Sequence, residues 1–140
     1  MSERKKILIT EDVAGAGIDD LKTRFHVEAD PDLWKKISAL RAAVKSVDGL
    51  IVRNQTRVDA ELISCAGALK VIGRAGAGYD NIDVNAASRT GVVVVFSPEE
   101  NAVSVAEHVF GLLLSLTRKI PPGGRLSKGW CLGEEKISWR

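Results

Sequence analysis

Short apolar runs alternate along the chain with stretches in which apolar positions recur every three or four residues. Ile7-Leu8-Ile9 is the first run, without polar alternation, which is the pattern of a strand covered on both faces. Between Gly15 and Phe25, Ile18, Leu21 and Phe25 fall at helical spacing, and His26 to Ala29 reads as a weaker strand. Asp30-Pro31 is a helix-start signal with proline just inside the helix, and Leu33, Ile37, Leu40 and Val44 carry the repeat onward. Gly49 to Val52 is a second buried-type strand. Asp59 to Cys65 is a short helix with Asp59 as its cap, Leu69 to Ile72 a strand, and Val84 to Ser88 a helical turn. The four valines Val92 to Val95 make the clearest strand, since β-branched side chains fit a pleated sheet. A helix then runs from Asn101 to about Lys119.

Strand and helix therefore alternate five times. Alternation of this kind predicts an α/β fold, a doubly wound parallel five-stranded sheet with helices on both faces and right-handed crossovers. The last helix is unusual. Val103, Val105, Ala106, Val109, Phe110, Leu112, Leu113, Leu114 and Leu116 wrap most of its circumference, leaving Ser104, His108, Gly111, Ser115 and Arg118 as one small or polar stripe. So apolar a helix is either a central core element or a seam against another domain or chain. Lys119-Ile120-Pro121-Pro122-Gly123-Gly124 ends it firmly, and residues 120–140 carry no convincing pattern.

At 140 residues, 45% hydrophobic and 27% charged, the chain has the composition of one globular domain. The net charge of +2 gives no footprint for nucleic acid. Charge is unevenly placed. From Thr117 onward there are six basic and two acidic residues, while the rest of the chain is net −2. Two cysteines, Cys65 and Cys131, are too few for a disulfide framework or a zinc site, and Cys65 is expected to be a small buried hydrophobe. The short run behind Arg4-Lys5-Lys6 is no signal-peptide core, and Val109 to Leu116 falls far short of the ~20 residues of a membrane span. A reducing cytoplasm is the expected setting.

Ligands of open parallel sheets lie beyond the C-terminal ends of the strands. Three segments occupy such ends. Arg53-Asn54-Gln55-Thr56 follows the strand at Gly49. Gly73 to Asn81, with Gly76, Ala77 and Gly78 at its centre, follows Val71-Ile72. Phe96 to Asn101 follows the valines. Glycines let a ligand approach the backbone, and consecutive N–H groups in such a turn converge on an anion; a plain glycine-rich surface turn is the alternative. The spacing is not G-x-G-x-x-G, because the sixth position from Gly76 is Asn81, so the dinucleotide fingerprint is excluded here. Arg53 offers a fixed fork of donors for a carboxylate or phosphate, or a surface ion pair. Asn101 suits an N-cap, ligand contact, or both. Together these residues predict a site for a small anionic molecule. No general base stands out, since His26 and His108 both read as structural, and no metal-type cluster is present. Ile7-Leu8-Ile9-Thr10-Glu11-Asp12 resembles the opening of a phospho-accepting receiver domain, but Arg53 stands where its aspartate belongs and Phe96-Ser97-Pro98 where its lysine belongs.

Four ordered segments resemble the NAD-dependent D-isomer-specific 2-hydroxyacid dehydrogenases: Leu50 to Thr56, Val71 to Asp83, Ala86 to Val92 and Asn101 to His108. The resemblance runs from about Ile7 to Pro122 and implies a flavodoxin-like substrate domain over residues 1–119. It implies that Arg53, Asn54, Thr56 and the backbone N–H groups around Gly76, Ala77 and Gly78 bind a small anionic hydroxy or keto acid, with 3-phosphoglycerate expected, and that Asn101 lies at the cleft. It also implies that Ala77 approaches the nicotinamide of NAD, where the family commonly carries a hydroxyl residue. The helix 101–119 would be the crossover to the nucleotide domain and a homodimer seam. The family's G-x-G-x-x-G domain and its catalytic Arg, Glu and His come later than anything in this sequence. The expectations are therefore a chain with no catalytic residue of its own, truncated or frame-shifted before the NAD domain, with 120–140 an irregular tail. A non-catalytic anion-binding or dimerisation module, and a remnant without function, are the alternatives.

Overall fold

The computed structural model describes residues 4–99 and 101–118. The chain divides into two compact units, Met1–Glu100 and Asn101–Arg140. The expectations placed on residues 120–140, Cys131 among them, lie outside the described residues.

Five strands build the first unit: β1 (Lys6–Ile9), β2 (His26–Ala29), β3 (Gly49–Val52), β4 (Val71–Arg74) and β5 (Val93–Val95). Four helices alternate with them: α1 (Ala16–Arg24), α2 (Ile37–Ala43), α3 (Ala60–Cys65) and α4 (Val84–Arg89). The strands are ordered β2-β1-β3-β4-β5, and every neighbouring pair is parallel. This is the doubly wound five-stranded sheet the alternation predicts. The chain winds one way from β1 to β2 and the other way from β3 onward, so the topological switch lies between β1 and β3.

Pairing aligns Leu8, Leu50 and Ile72 across the three central strands. They lie 3%, 1% and 0% exposed in the main hydrophobic cluster. Leu40 and Val44, Leu62 and Ile63, and Ala86 and Ala87 pack into that cluster from the helical segments. Cys65 is half-buried against it as a free thiol. The sheet edge is different. In β5, Val93 and Val95 are 58% and 53% exposed, and only Val94 turns toward the cluster.

Two short helices owe their ends to identifiable residues. Asp59 caps α3 by accepting from the Leu62 N–H at 2.9 Å, and Asp83 caps α4 by accepting from the Ala86 N–H at 2.8 Å. Gly91, at φ +74°, closes α4. Its N–H donates to the Ser88 carbonyl, and the Val92 N–H to the Ala87 carbonyl, the double bond of a Schellman ending.

The structure departs from the periodicity in two places. The repeat Leu33, Ile37, Leu40, Val44 is not one helix. A 3-10 turn, Leu33–Lys35, and α2 are separated by Lys36 at φ −113°, ψ 73°, and another 3-10 turn, Val44–Ser46, follows. The break rotates Ile37 out of register, and it is 61% exposed while Leu33, Leu40 and Val44 are buried. β4 begins two residues later than the apolar run because the Leu69 N–H is held in a turn by the Ala66 carbonyl. It then continues through Gly73 and Arg74, which pair with Ile51 and Val52.

In the second unit, α5 (Ala102–Thr117) realises the predicted last helix. Its large apolar side chains are exposed, Phe110 at 64% and Leu116 at 81%. Among the described residues no helix is long and apolar enough to cross a membrane.

Candidate anion site at the C-terminal edge of the sheet

β3 delivers Arg53-Asn54-Gln55-Thr56, and β4, its neighbour, delivers Ala75 to Asn81. The two segments leave the sheet side by side because Val52 and Arg74 are partners and the Ala75 N–H donates to the Val52 carbonyl at 2.8 Å. Asn81 ties them again further out. Its side-chain amide donates to the Thr56 carbonyl at 2.7 Å and to the Arg53 carbonyl at 3.2 Å. Val58 and Ile82 then form a parallel bridge.

The backbone donors of the two loops have different fates. All four N–H groups from Arg53 to Thr56 are taken by the carboxylate of Glu11, at 2.8, 3.1, 2.8 and 2.9 Å in chain order. In the glycine loop, the Gly76 N–H closes a tight turn onto the Arg74 carbonyl at 2.9 Å. The N–H groups of Ala77 and Gly78 have no hydrogen-bond partner among the described residues.

Gly76 has φ +140°, and a Cβ there would run into the Arg74 guanidinium. Glycine is thus what lets Arg74 lie over the loop. Arg74 Nη1 reaches toward the Ala75 carbonyl at 3.5 Å, and its Nε is buried without a partner among the described residues. The Gly76 carbonyl accepts from the Ser97 N–H at 3.2 Å, bringing the segment after β5 to the same edge. Tyr79 and Phe96 stack at 4.9 Å with their planes inclined by 56°. With Val84 and Val94 they line a small apolar hollow of about 170 Å³ beside the polar loops.

Each candidate residue therefore has a definite place. Arg53 and Asn54 present exposed side chains, and Arg53 forms no ion pair among the described residues. Thr56 does not offer its side chain to a ligand. It is 1% exposed, and its hydroxyl lies 2.7 Å from that of Thr10. Gly76 offers a carbonyl and a bend, while Ala77 and Gly78 offer donors. Asn101 opens the second unit at the first position before α5, and its side chain makes no capping bond. Its carbonyl accepts from the Val105 N–H. His26 is exposed at the first residue of β2, 3.2 Å from Glu28. No group of three metal-ligating side chains exists among the described residues.

Glu11, Asn81 and Arg74 are the site-building residues that pattern reading left without a role. The signal for Glu11 was its acid at the end of β1, the feature that resembles a receiver domain; here the carboxylate faces amides. Burial raises the Glu11 pKa, but the amides of Thr56, Gln55 and Arg53 and the Thr56 hydroxyl outweigh it and leave the group below its ordinary value. A carboxyl depressed in the folded state contributes stability that is complete above the unfolded pKa, near 4.3, and is lost as pH falls through the folded value. Asp48, held down by Lys5 and the Lys6 N–H, adds to acid sensitivity in any variant that keeps it. The melting temperature of Glu11→Gln should therefore fall less steeply below about pH 5 than that of the unaltered chain. Parallel profiles from pH 7 to pH 3 would contradict this assignment.

A nicotinamide dinucleotide needs a cradle for its pyrophosphate, usually glycine-rich and opening a helix. The described residues do not fit it. The glycine loop runs into Tyr79-Asp80-Asn81, and the next helix, α4, has its N-terminus already capped by Asp83. What they form is a pair of adjacent loops at the C-terminal edge of a flavodoxin-like α/β sheet, and sequence comparison sets that fold within a family. The profile described as "D-isomer specific 2-hydroxyacid dehydrogenase, catalytic domain" matches residues 7–129, and the chain belongs to this family. Among curated proteins it is similar to the D-3-phosphoglycerate dehydrogenase of Archaeoglobus fulgidus, 43% identical over 88% of this chain and 23% of that protein. It is also similar to that of Mycobacterium bovis, 51% identical over 82% of this chain and 21% of that protein. The chain thus spans about a fifth of these relatives' length. Among solved structures, the TT0316 protein of Thermus thermophilus superposes with a TM-score of 0.79 at 28% identity, over 94% of this chain and 42% of that one. The NAD+-bound 3-phosphoglycerate dehydrogenase of Entamoeba histolytica superposes at 0.65 and 32% identity, over 81% and 39%.

Proposed function

We propose that this chain is the hydroxy-acid-binding part of an NAD-dependent D-2-hydroxyacid dehydrogenase, with D-3-phosphoglycerate as its ligand. The observation that carries the reading is the pair of N–H groups at Ala77 and Gly78, without a partner among the described residues, on the loop adjacent to the one that carries Arg53, which forms no ion pair among the described residues. Two amides converging at the end of a strand hold one carboxylate or phosphate, and an arginine fork holds a second anionic group or shares the first. Arg74 adds positive charge at the same edge. Asn54 supplies a neutral donor and acceptor for a hydroxyl. Asn101 and the approach of Ala77 to a nicotinamide belong to the same proposal. The 43% and 51% identities to D-3-phosphoglycerate dehydrogenases support the choice of ligand.

The chemistry of the family, hydride exchange between the C2 of the hydroxy acid and NAD, needs a base at the C2 hydroxyl and a bound dinucleotide. Among the described residues the one acid placed at the amide pair is the exposed Asp80, whose Oδ2 lies 3.2 Å from where a Cβ of Gly78 would stand, and no cradle for pyrophosphate is formed. On this reading the 140-residue chain binds and does not turn over. It associates through α5 as a homodimer, because the exposed valines and leucines of that helix would otherwise face water. Melting and sizing of the purified chain test both statements. At a hundredfold excess over its Kd, D-3-phosphoglycerate should stabilise by about 2.7 kcal/mol and raise the Tm by roughly 10 °C or more. NAD alone should raise nothing, and no NADH should form. A Tm indifferent to the phosphoglycerate would reject the binding reading, NADH formation the inactivity, and a monomer at micromolar concentration the seam.

A further inference from the structure

The switch between β1 and β3 is where open parallel sheets take their ligands, and in this chain that place is already filled by the protein. Glu11 leaves β1 and puts both carboxylate oxygens under the Arg53–Thr56 turn. Oε1 accepts from the N–H groups of Arg53 and Thr56, and Oε2 from those of Asn54 and Gln55. A carboxylate has about four acceptor positions, and four donors saturate it. The residue is 5% exposed. Four consecutive amides converging on one anion form a nest of the kind that elsewhere holds phosphate. Here the anion is internal, and its charge would repel a second one at the same point.

The turn is gripped from its other side as well. Asn81 donates one side-chain amide to the carbonyls of both terminal residues of the turn, Arg53 and Thr56. Its own carbonyl accepts from the Val58 N–H at 2.8 Å. Asn81 comes from the segment that carries Ala77 and Gly78, so the grip also fixes one loop against the other. Inside, the hydroxyls of Thr10 and Thr56 meet at 2.7 Å, and Thr10 also donates to the Ile51 carbonyl at 3.4 Å. The four N–H groups, the carbonyls of Arg53 and Thr56 and the one inward side chain of the turn are occupied. Of the turn's hydrogen-bond donors, only the Arg53, Asn54 and Gln55 side chains remain to meet an anion.

We propose that Glu11 and Asn81 are positioning residues: Glu11 plugs the switch-point nest as a built-in anion, Asn81 locks the turn to the glycine loop, and together they displace the ligand one strand over, to the Ala77 and Gly78 amides, with Arg53 held facing it. This rests on the binding reading given above. Its consequence is that Glu11 acts on affinity through Arg53.

The test uses the full chain, Glu11→Gln, Asn81→Ala, Arg53→Ala and the Glu11→Gln/Arg53→Ala double variant. Amide exchange at Arg53 to Thr56 is followed by NMR without ligand, and D-3-phosphoglycerate affinity by calorimetry. Glu11→Gln should speed exchange of the four amides about tenfold or more and weaken affinity by about tenfold. Arg53→Ala should weaken affinity with exchange unchanged, and adding Glu11→Gln to it should cost little more, the signature of two residues acting as one. Unchanged exchange in Glu11→Gln overturns the plug, and unchanged affinity or an additive double variant overturns the positioning role. Should Glu11→Gln not fold, Asn81→Ala with Arg53→Ala makes the same cycle. If the unaltered chain binds no phosphoglycerate, the binding reading fails and the positioning role with it, while the exchange rates still decide whether Glu11 fills the nest.

Discussion

Gly76→Val removes ligand binding from a chain that stays folded. At φ +140° the backbone of residue 76 lies where a β-branched residue is strained, at a cost of about 1–3 kcal/mol. A side chain there also meets the Arg74 guanidinium. Arg74 must swing away or the loop must turn over. Either movement disturbs the Gly76 N–H bond to the Arg74 carbonyl and the Ser97 bond to the Gly76 carbonyl, and these aim the amides of Ala77 and Gly78. Losing that aim together with the nearby charge should weaken D-3-phosphoglycerate about a hundredfold, equivalent to about 2.7 kcal/mol. Gly91→Ala is the control. It also sits at positive φ, +74°, but a Cβ there meets nothing within 4 Å, and it ends α4. It should cost about 1 kcal/mol of stability and leave affinity alone. Calorimetric titration of both variants separates the cases. A Gly76→Val chain that binds like the unaltered one would remove the glycine loop from the site.

The contrast between those glycines shows what sequence makes legible. The loop at Gly76 is visible because three glycines follow an apolar run, and strand order alone places it at the ligand edge. The alternation of strands and helices predicts the sheet, because burial on both faces leaves an unmistakable apolar run in β1 and β3. Bonds between distant residues leave no such trace. Nothing near Glu11 announces that it will satisfy four amides some forty positions away, and Thr56, which the resemblance assigns to the ligand, turns its side chain inward to Thr10. Periodicity also misplaced Ile37, since it assumes a helix unbroken at Lys36. Local capping did better: Asp59 was readable because its partner Leu62 is three residues on.

Leu50→Ala should remove a large share of the first unit's stability, and the reason is the geometry of the sheet beneath the site. Leu50 lies on β3, paired with Leu8 on one side and Ile72 on the other, and is 1% exposed. Truncating such a leucine loses the transfer energy of three carbons and leaves a cavity that flanking strands cannot close, about 3–4 kcal/mol in total. A unit of this size has about 5–10 kcal/mol to lose, and the Tm should drop by roughly 15–25 °C. Val93→Ala, on the edge strand at 58% exposure, should move the Tm by no more than a few degrees, although the valine run is the strongest strand signal in the sequence. β-branching reports compatibility with a sheet, and position in the strand order decides how much depends on the residue. Below its lowered Tm, Leu50→Ala should bind D-3-phosphoglycerate with unchanged affinity, because the loops are fixed by Glu11 and Asn81 and not by the core beneath them. A folded Leu50→Ala chain with weakened binding would mean that core packing, and not the two polar clamps, sets the loop geometry.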